Sequence, residues 1–167
     1  MKSTLVPIVI FASAMVAFGQ FGRVIYISPD EKLRAVVIPT KKVDGDFHES
    51  RVELQKASGE TLALNDHSSP DREHGRGVLH AAWSPDSQFF VYSTTSSGGH
   101  VAGHFNTYVF VRSLSRFFEL DEMIGCAIVD PDFMLSDSAT LSGRRACGGE
   151  PESFRIHLAD LPWRKKT

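Results

Sequence analysis

Seven histidines occur in this 167-residue chain, and five of them (His48, His67, His74, His100 and His104) sit in stretches rich in Gly, Ser, Pro, Asp and Asn. Imidazole titrates near neutrality and is the commonest protein metal ligand, so histidines gathered on one rim of a fold form a candidate binding surface. Asp44, Asp46, Glu49, Asp71 and Glu73 lie in the same stretches and can supply carboxylates. No ready-made metal motif emerges. His100 and His104 are spaced i, i+4, which brings two rings together only on a helix, and Gly98, Gly99 and Gly103 oppose a helix there. Whether a metal binds is unknown from these residues alone, and no cofactor is implied. There is no Gly-x-Ser-x-Gly elbow, no His-Glu-x-x-His and no phosphate-binding loop, so no catalytic residue is assigned.

Cys126 and Cys147 are the other chemically distinctive pair. A disulfide between them is expected if the chain reaches an oxidising compartment, the alternative being two unpaired, partly buried thiols. The N-terminus supports export. Lys2 precedes an apolar run from Leu5 to Phe18, and Ala17 and Gly19 place small residues three before and one before Gln20. That is the pattern of a secretory signal peptide, over residues 1–19, with a mature domain at 20–167 that is secreted or periplasmic. The run is too short for a stable membrane span, and a formal charge of −2 provides no general attraction to nucleic acid.

The elements that must carry these loops are strands. Leu79 to Trp83 is apolar, Ser84-Pro85-Asp86-Ser87 reads as a tight turn, and Phe89 to Tyr92 resumes with aromatic and β-branched residues. Tyr26 to Val37 has the same form around Ser28-Pro29-Asp30, and Ala127 to Phe133 reads as a degraded third copy around Asp130-Pro131-Asp132. Asp30, Asp86 and Asp132 are read as turn-closing side chains. Repeats are expected at about 23–64, 78–120 and 124–158, each an antiparallel unit of four strands except the third, where Ile124 to Val129, Ala139 to Ser142 and Ser153 to Leu158 read as strands and no fourth is visible. No amphipathic helix is expected after residue 19.

A strand ending in an aromatic, then Ser-Pro-Asp-Ser, then an apolar strand resembles the TolB-like and WD-type β-propeller repeats of secreted bacterial proteins. The likeness is good at Trp83 to Tyr92, fair at Ile27 to Val37 and poor at Val129 to Phe133. It implies an incomplete propeller with three blade-like sheets and, by analogy of fold, a non-enzymatic module that binds a protein or envelope component. The alternative is a small metal-dependent or hydrolytic enzyme using the histidine-rich rim.

Patterning indicates how the sheets are arranged. Val52 and Leu54 alternate with Arg51, Glu53 and Gln55, and Phe154, Ile156 and Leu158 alternate with Arg155 and His157, while Tyr108 to Val111 is apolar throughout. Sheets covered on one side alternate and sheets covered on both do not. The expected architecture is an all-β stack of three antiparallel sheets with the middle one sandwiched. A monomer is preferred over a dimer that closes a six-bladed ring. Strand alternation then sends His48, His67, His74, His100 and His104 to one edge, with His80 starting a strand there.

Overall fold

The computed structural model describes residues 22–40, 49–71, 74–96 and 104–163. The N-terminal segment read as a signal peptide lies outside the described residues. Three antiparallel sheets follow one another along the chain, none of them closed. The first comprises β1 (Val24–Ile27), β2 (Leu33–Pro39), β3 (Ser50–Lys56) and β4 (Thr61–Asp66), paired in that order. The middle sheet comprises β5 (Arg76–Trp83), β6 (Phe89–Ser96), β7 (Thr107–Val111) and β8 (Arg116–Glu119), again in sequence order. A short helix, α1 (Leu120–Ile124), leads to the third sheet of β9 (Ala127–Ile128), β10 (Met134–Leu135), β11 (Thr140–Ala146) and β12 (Glu152–His157). No helix among the described residues is long and apolar enough to cross a membrane.

The Ser-Pro-Asp segments close the first hairpin of the first two sheets. In each, the serine hydroxyl donates to the aspartate carboxylate, at 2.8 Å for Ser28–Asp30 and 2.6 Å for Ser84–Asp86. The same oxygen accepts the amide of the residue five positions on, Leu33 at 3.0 Å and Phe89 at 2.9 Å. The residue after the aspartate takes a left-handed conformation, with φ of 58° at Glu31 and 60° at Ser87. A turn followed by one left-handed residue matches the twist of the flanking strands.

The middle sheet is apolar on both faces. Phe90, Tyr92 and Phe110 project toward the first sheet and share a core with Leu33, Ala35, Val37, Val52 and Leu54. Phe89, Val91, Val109 and Val111 project the other way, onto Leu141, Phe154 and Leu158 of the third unit. The stack read from the strand patterns is therefore the observed architecture, with the middle sheet sandwiched. Hydrogen bonds clamp the first two sheets together: Trp83 Nε1 donates to the Tyr26 carbonyl at 2.9 Å, and the Asp30 amide donates to Ser87 Oγ at 3.0 Å. Arg112 reaches across to Asp30 at 2.7 Å. Burial works against charge on Asp30, but the guanidinium of Arg112, the Ser28 hydroxyl and the Lys32 amide outweigh it and hold the carboxyl at about 2.

The third unit departs from the sequence reading in three places. Its first-hairpin turn is not Asp130-Pro131-Asp132 but Ser136-Asp137-Ser138-Ala139, where the Ala139 amide donates to the Ser136 carbonyl at 2.9 Å. Ala139 has φ of 53°, the counterpart of Glu31 and Ser87. Asp130 to Phe133 instead interrupts the first strand, so that β9 and β10 both pair with β11 and this sheet also has four strands. The interruption folds inward: Phe133 is buried in the core and the Pro131 carbonyl accepts the Ser93 hydroxyl at 2.9 Å. Second, the segment from Ile124 is not strand at its start, because α1 occupies Leu120–Ile124 and ends at Gly125 with φ of 67°. Third, Leu158 lies beyond β12, in a short 3-10 turn.

Because Phe90 is fully buried between two sheets, Phe90→Ala is expected to lower the unfolding free energy by about 3–5 kcal/mol. Arg155→Ala, at an exposed position of β12, is expected to change it by less than about 0.5 kcal/mol. Urea denaturation followed by far-UV circular dichroism measures both.

Candidate functional site at the loop-bearing edge

The tight hairpin turns occupy one edge of the stack, so the longer connections β2–β3, β4–β5, β6–β7 and β11–β12 leave the opposite edge. Two buried carboxylates hold the roots of these connections. Glu49 is wholly buried just before β3, and its oxygens accept from the Ser69 hydroxyl at 2.8 Å, the Ser69 amide at 3.0 Å and the Gly75 amide at 2.6 Å. It thereby ties the end of one connection to both sides of the next. Gly75 has no room for a side chain, since a Cβ there would collide with the Glu49 carboxyl group and the His67 carbonyl.

Asp121 plays the corresponding part between the middle and third sheets. One carboxylate oxygen accepts the Thr107 amide at 2.9 Å. The other accepts the Ile128 amide at 3.1 Å and lies 2.9 Å from His104 Nε2. Four-residue turns cannot supply these partners; the acceptor is brought to the amides by α1, whose first turn carries Asp121 and points it under β7 and β9.

The described rim histidines go to different partners. His67, on the β4–β5 connection, turns inward between the first two sheets, with its ring 4.6 Å from the Tyr108 ring. The Tyr92 hydroxyl accepts from Asn65 Nδ2 at 2.7 Å, leaving its own proton for His67 Nε2 at 2.9 Å. That arrangement requires a neutral imidazole with its hydrogen on Nδ1. Burial, aided by the nearby Arg76 guanidinium, pushes His67 down to about 4. Burial likewise raises Tyr92 well above the ordinary phenol range and, with the Glu119 carboxylate, pushes Tyr108 up to about 12. His74 stays exposed and lies 2.6 Å from Asp71. His104 is half-buried against Asp121. Outside the five, His80 stacks edge-on against Phe133 with ring centres 4.5 Å apart, and His157 lies 3.4 Å from Asp160. His48 and His100 lie outside the described residues. Among the described residues no group of three or more His, Cys, Asp or Glu side chains is arranged to hold a metal ion.

Cys126 and Cys147 form a disulfide with Cα atoms 4.5 Å apart. They flank the Ala127–Ala146 pair of β9 and β11, so the bridge continues that ladder at the loop-bearing edge. The disulfide, His104, Asp121 and Glu122 together line a shallow depression of about 320 Å³.

In the sequence Glu49 reads as a candidate metal-site carboxylate and Asp121 carries no role; neither is legible there as a structural anchor. The available signal was slight: Asp121 is one of three acids, with Glu119 and Glu122, in a short stretch that also holds Leu120, Met123 and Ile124. Asn65 and Tyr92 gave no signal at all, because their meeting depends on how two sheets stack. The chain matches no protein-family model and no curated protein.

Two predictions follow from this geometry. His67 is neutral in the folded protein down to about pH 4 but protonates near 6.5 when unfolded. Its contribution is therefore complete above pH 6.5 and is lost as pH falls toward 4, a difference on the order of 3 kcal/mol. Urea midpoints measured from pH 7 to pH 4 should fall more steeply for the native protein than for His67→Gln. For the disulfide, unreduced denatured protein should show no titratable thiol. The Cys126→Ser, Cys147→Ser double variant, which frees a sequence separation of 21, should lose about 3 kcal/mol of stability.

Proposed function

We propose that this protein is an exported, β-propeller-like interaction module that binds a protein or other envelope component through its loop-bearing edge. The observation that carries this reading is the anchoring of long connections on buried carboxylates, Glu49 beneath one pair and Asp121 beneath another. Loops rooted on a rigid scaffold present a defined surface at little ordering cost, which suits recognition. The two Ser-Pro-Asp hairpins support kinship with TolB-like and WD-type repeats, and the apolar run before Gln20 supports export. A disulfide is in keeping with an oxidising compartment.

One observation favours the enzymatic alternative. A buried carboxylate orienting a half-exposed imidazole beside an open depression, as Asp121 does for His104, is the arrangement of an acid–base pair.

Photo-crosslinking in the native host separates the two. A photoreactive residue at position 70, on the exposed β4–β5 connection, should give one discrete protein adduct, and the same residue at position 115, on the opposite edge, should not. Identical adducts from both positions, or none from position 70, would sink the interaction reading. Stoichiometric zinc in untagged protein, lost in His74→Ala and His104→Ala, would replace it with the enzymatic one.

A further inference from the structure

The two outer faces of the stack are chemically unlike. On the third sheet, the outward positions of β11 and β12 are Ser142, Arg144, Ser153 and Arg155, and the exposed Met134 of β10 pairs with Ser142 as an apolar side chain on that face. On the first sheet, alternation from the buried Ala35, Val37, Val52 and Leu54 directs Ile25, Ile27, Val36 and Ile38 outward on β1 and β2, where Val36 is itself covered by its neighbours, and Leu64 outward on β4, across Glu53 of β3. Ile27 and Leu64 are 43% and 54% exposed. An aliphatic surface of this kind on an outermost sheet is a candidate contact face.

Its charge is specific as well. A groove of about 200 Å³ crosses the face, walled by Arg23, Arg34 and Arg51, with Glu53 as the one carboxylate in its lining. Arg51 reaches Glu53 at 3.2 Å through Nη2, yet its Nε is buried without any acceptor. A buried donor left unmade is costly, so an acceptor delivered into the groove gains more there than at an exposed arginine. Arg34 donates Nε to Gln55, a neutral amide, at 2.9 Å, and forms no ion pair among the described residues.

A second copy of this chain is a poor occupant. Placing the first sheet on itself sets the three guanidinium groups against their own kind. Placing it on the third sheet, as ring closure requires, sets them against Arg144 and Arg155. Like charges in apposition oppose association. The complement must bring carboxylates and aliphatic side chains together. We propose that the outer face of the first sheet binds an acidic, aliphatic segment of another protein, its carboxylates on Arg23, Arg34 and Arg51 and its aliphatic groups on the half-buried Ile25 and Ile38. This surface is separate from the loop-bearing edge, so either reading can fail without the other.

The test titrates the ¹⁵N-labelled protein with a blocked peptide alternating Glu and Val, and with a control alternating Lys and Val. The acidic peptide should shift amides of β1, β2 and β3 with a dissociation constant below roughly 1 mM, and the basic one should not. Arg34→Glu with Arg51→Glu should weaken binding at least about tenfold, the loss of two charge-assisted contacts. If that pair disturbs folding, Arg34→Gln alone should still weaken it, and the comparison of the two peptides on the native protein stands without any variant. Equal binding of both peptides, shifts confined to other faces, no shifts, or unchanged affinity in the folded variants would each overturn the proposal. So would sedimentation showing a dimer that the arginine substitutions dissociate, which would make a second copy the occupant.

Discussion

The structure depends on one constraint: the β6–β7 pair must be buried on both of its faces. Phe90 pairs with Phe110 and Val91 with Val109 in the ladder, so register fixes which side chains leave each face together. One face presents aromatic rings to the first sheet, where Tyr26, Trp83, Phe90 and Phe110 meet at tilted or edge-on angles. The other presents Phe89, Val91, Val109 and Val111 to the third sheet. Such a sheet exposed on either side would leave a row of large apolar residues in water, a loss of about 1.5–3 kcal/mol for each side chain uncovered. Both outer sheets are covers for this one, and each needs only one apolar face.

Polar interactions then divide the stack into two unlike edges. At the hairpin edge, the Ser-Pro-Asp turns close on themselves and lock to each other through Asp30, Ser87 and Arg112. At the opposite edge the connections are long, and their backbone amides find acceptors in Glu49 and Asp121 instead of in ladder partners. The neutral His67 belongs to the same pattern. It fills a polar gap between sheets by accepting one hydrogen bond from the Tyr92 hydroxyl, and charging it would break that bond while leaving a cation in a desolvated site.

The third unit shows where local reading goes astray. Pro131 draws attention to Asp130-Pro131-Asp132, yet the turn forms at Ser136, spaced 56 and then 52 residues along from Ser28 and Ser84 in the order Ser28, Ser84, Ser136. Proline restricts φ and lacks an amide hydrogen, which suits an interrupted edge strand as well as it suits a turn. Ser136-Asp137-Ser138-Ala139 has no proline to announce it, and Ala139 adopts a left-handed conformation that its residue type does not advertise. Phe133 decides between the two: with the turn at Ser136, its ring reaches the core beside His80.

Strand content, the three units, the sandwiched middle sheet and the gathering of long loops on one edge were legible in the sequence because they follow from period-two patterning and strand alternation, both local properties. The Cys126–Cys147 pairing was legible for a related reason, since adjacent antiparallel strands return their ends to the same place. The partners of buried polar groups were not. Asp30 meets Arg112 across 82 residues, Glu49 meets Gly75 across 26 and Asn65 meets Tyr92 across 27. These contacts depend on the register of several ladders and on how one sheet is rotated over the next, and no pattern within a single segment carries that information. Local pattern put His67, His74 and His104 on connections between strands; tertiary structure decided that each of the three faces a different partner.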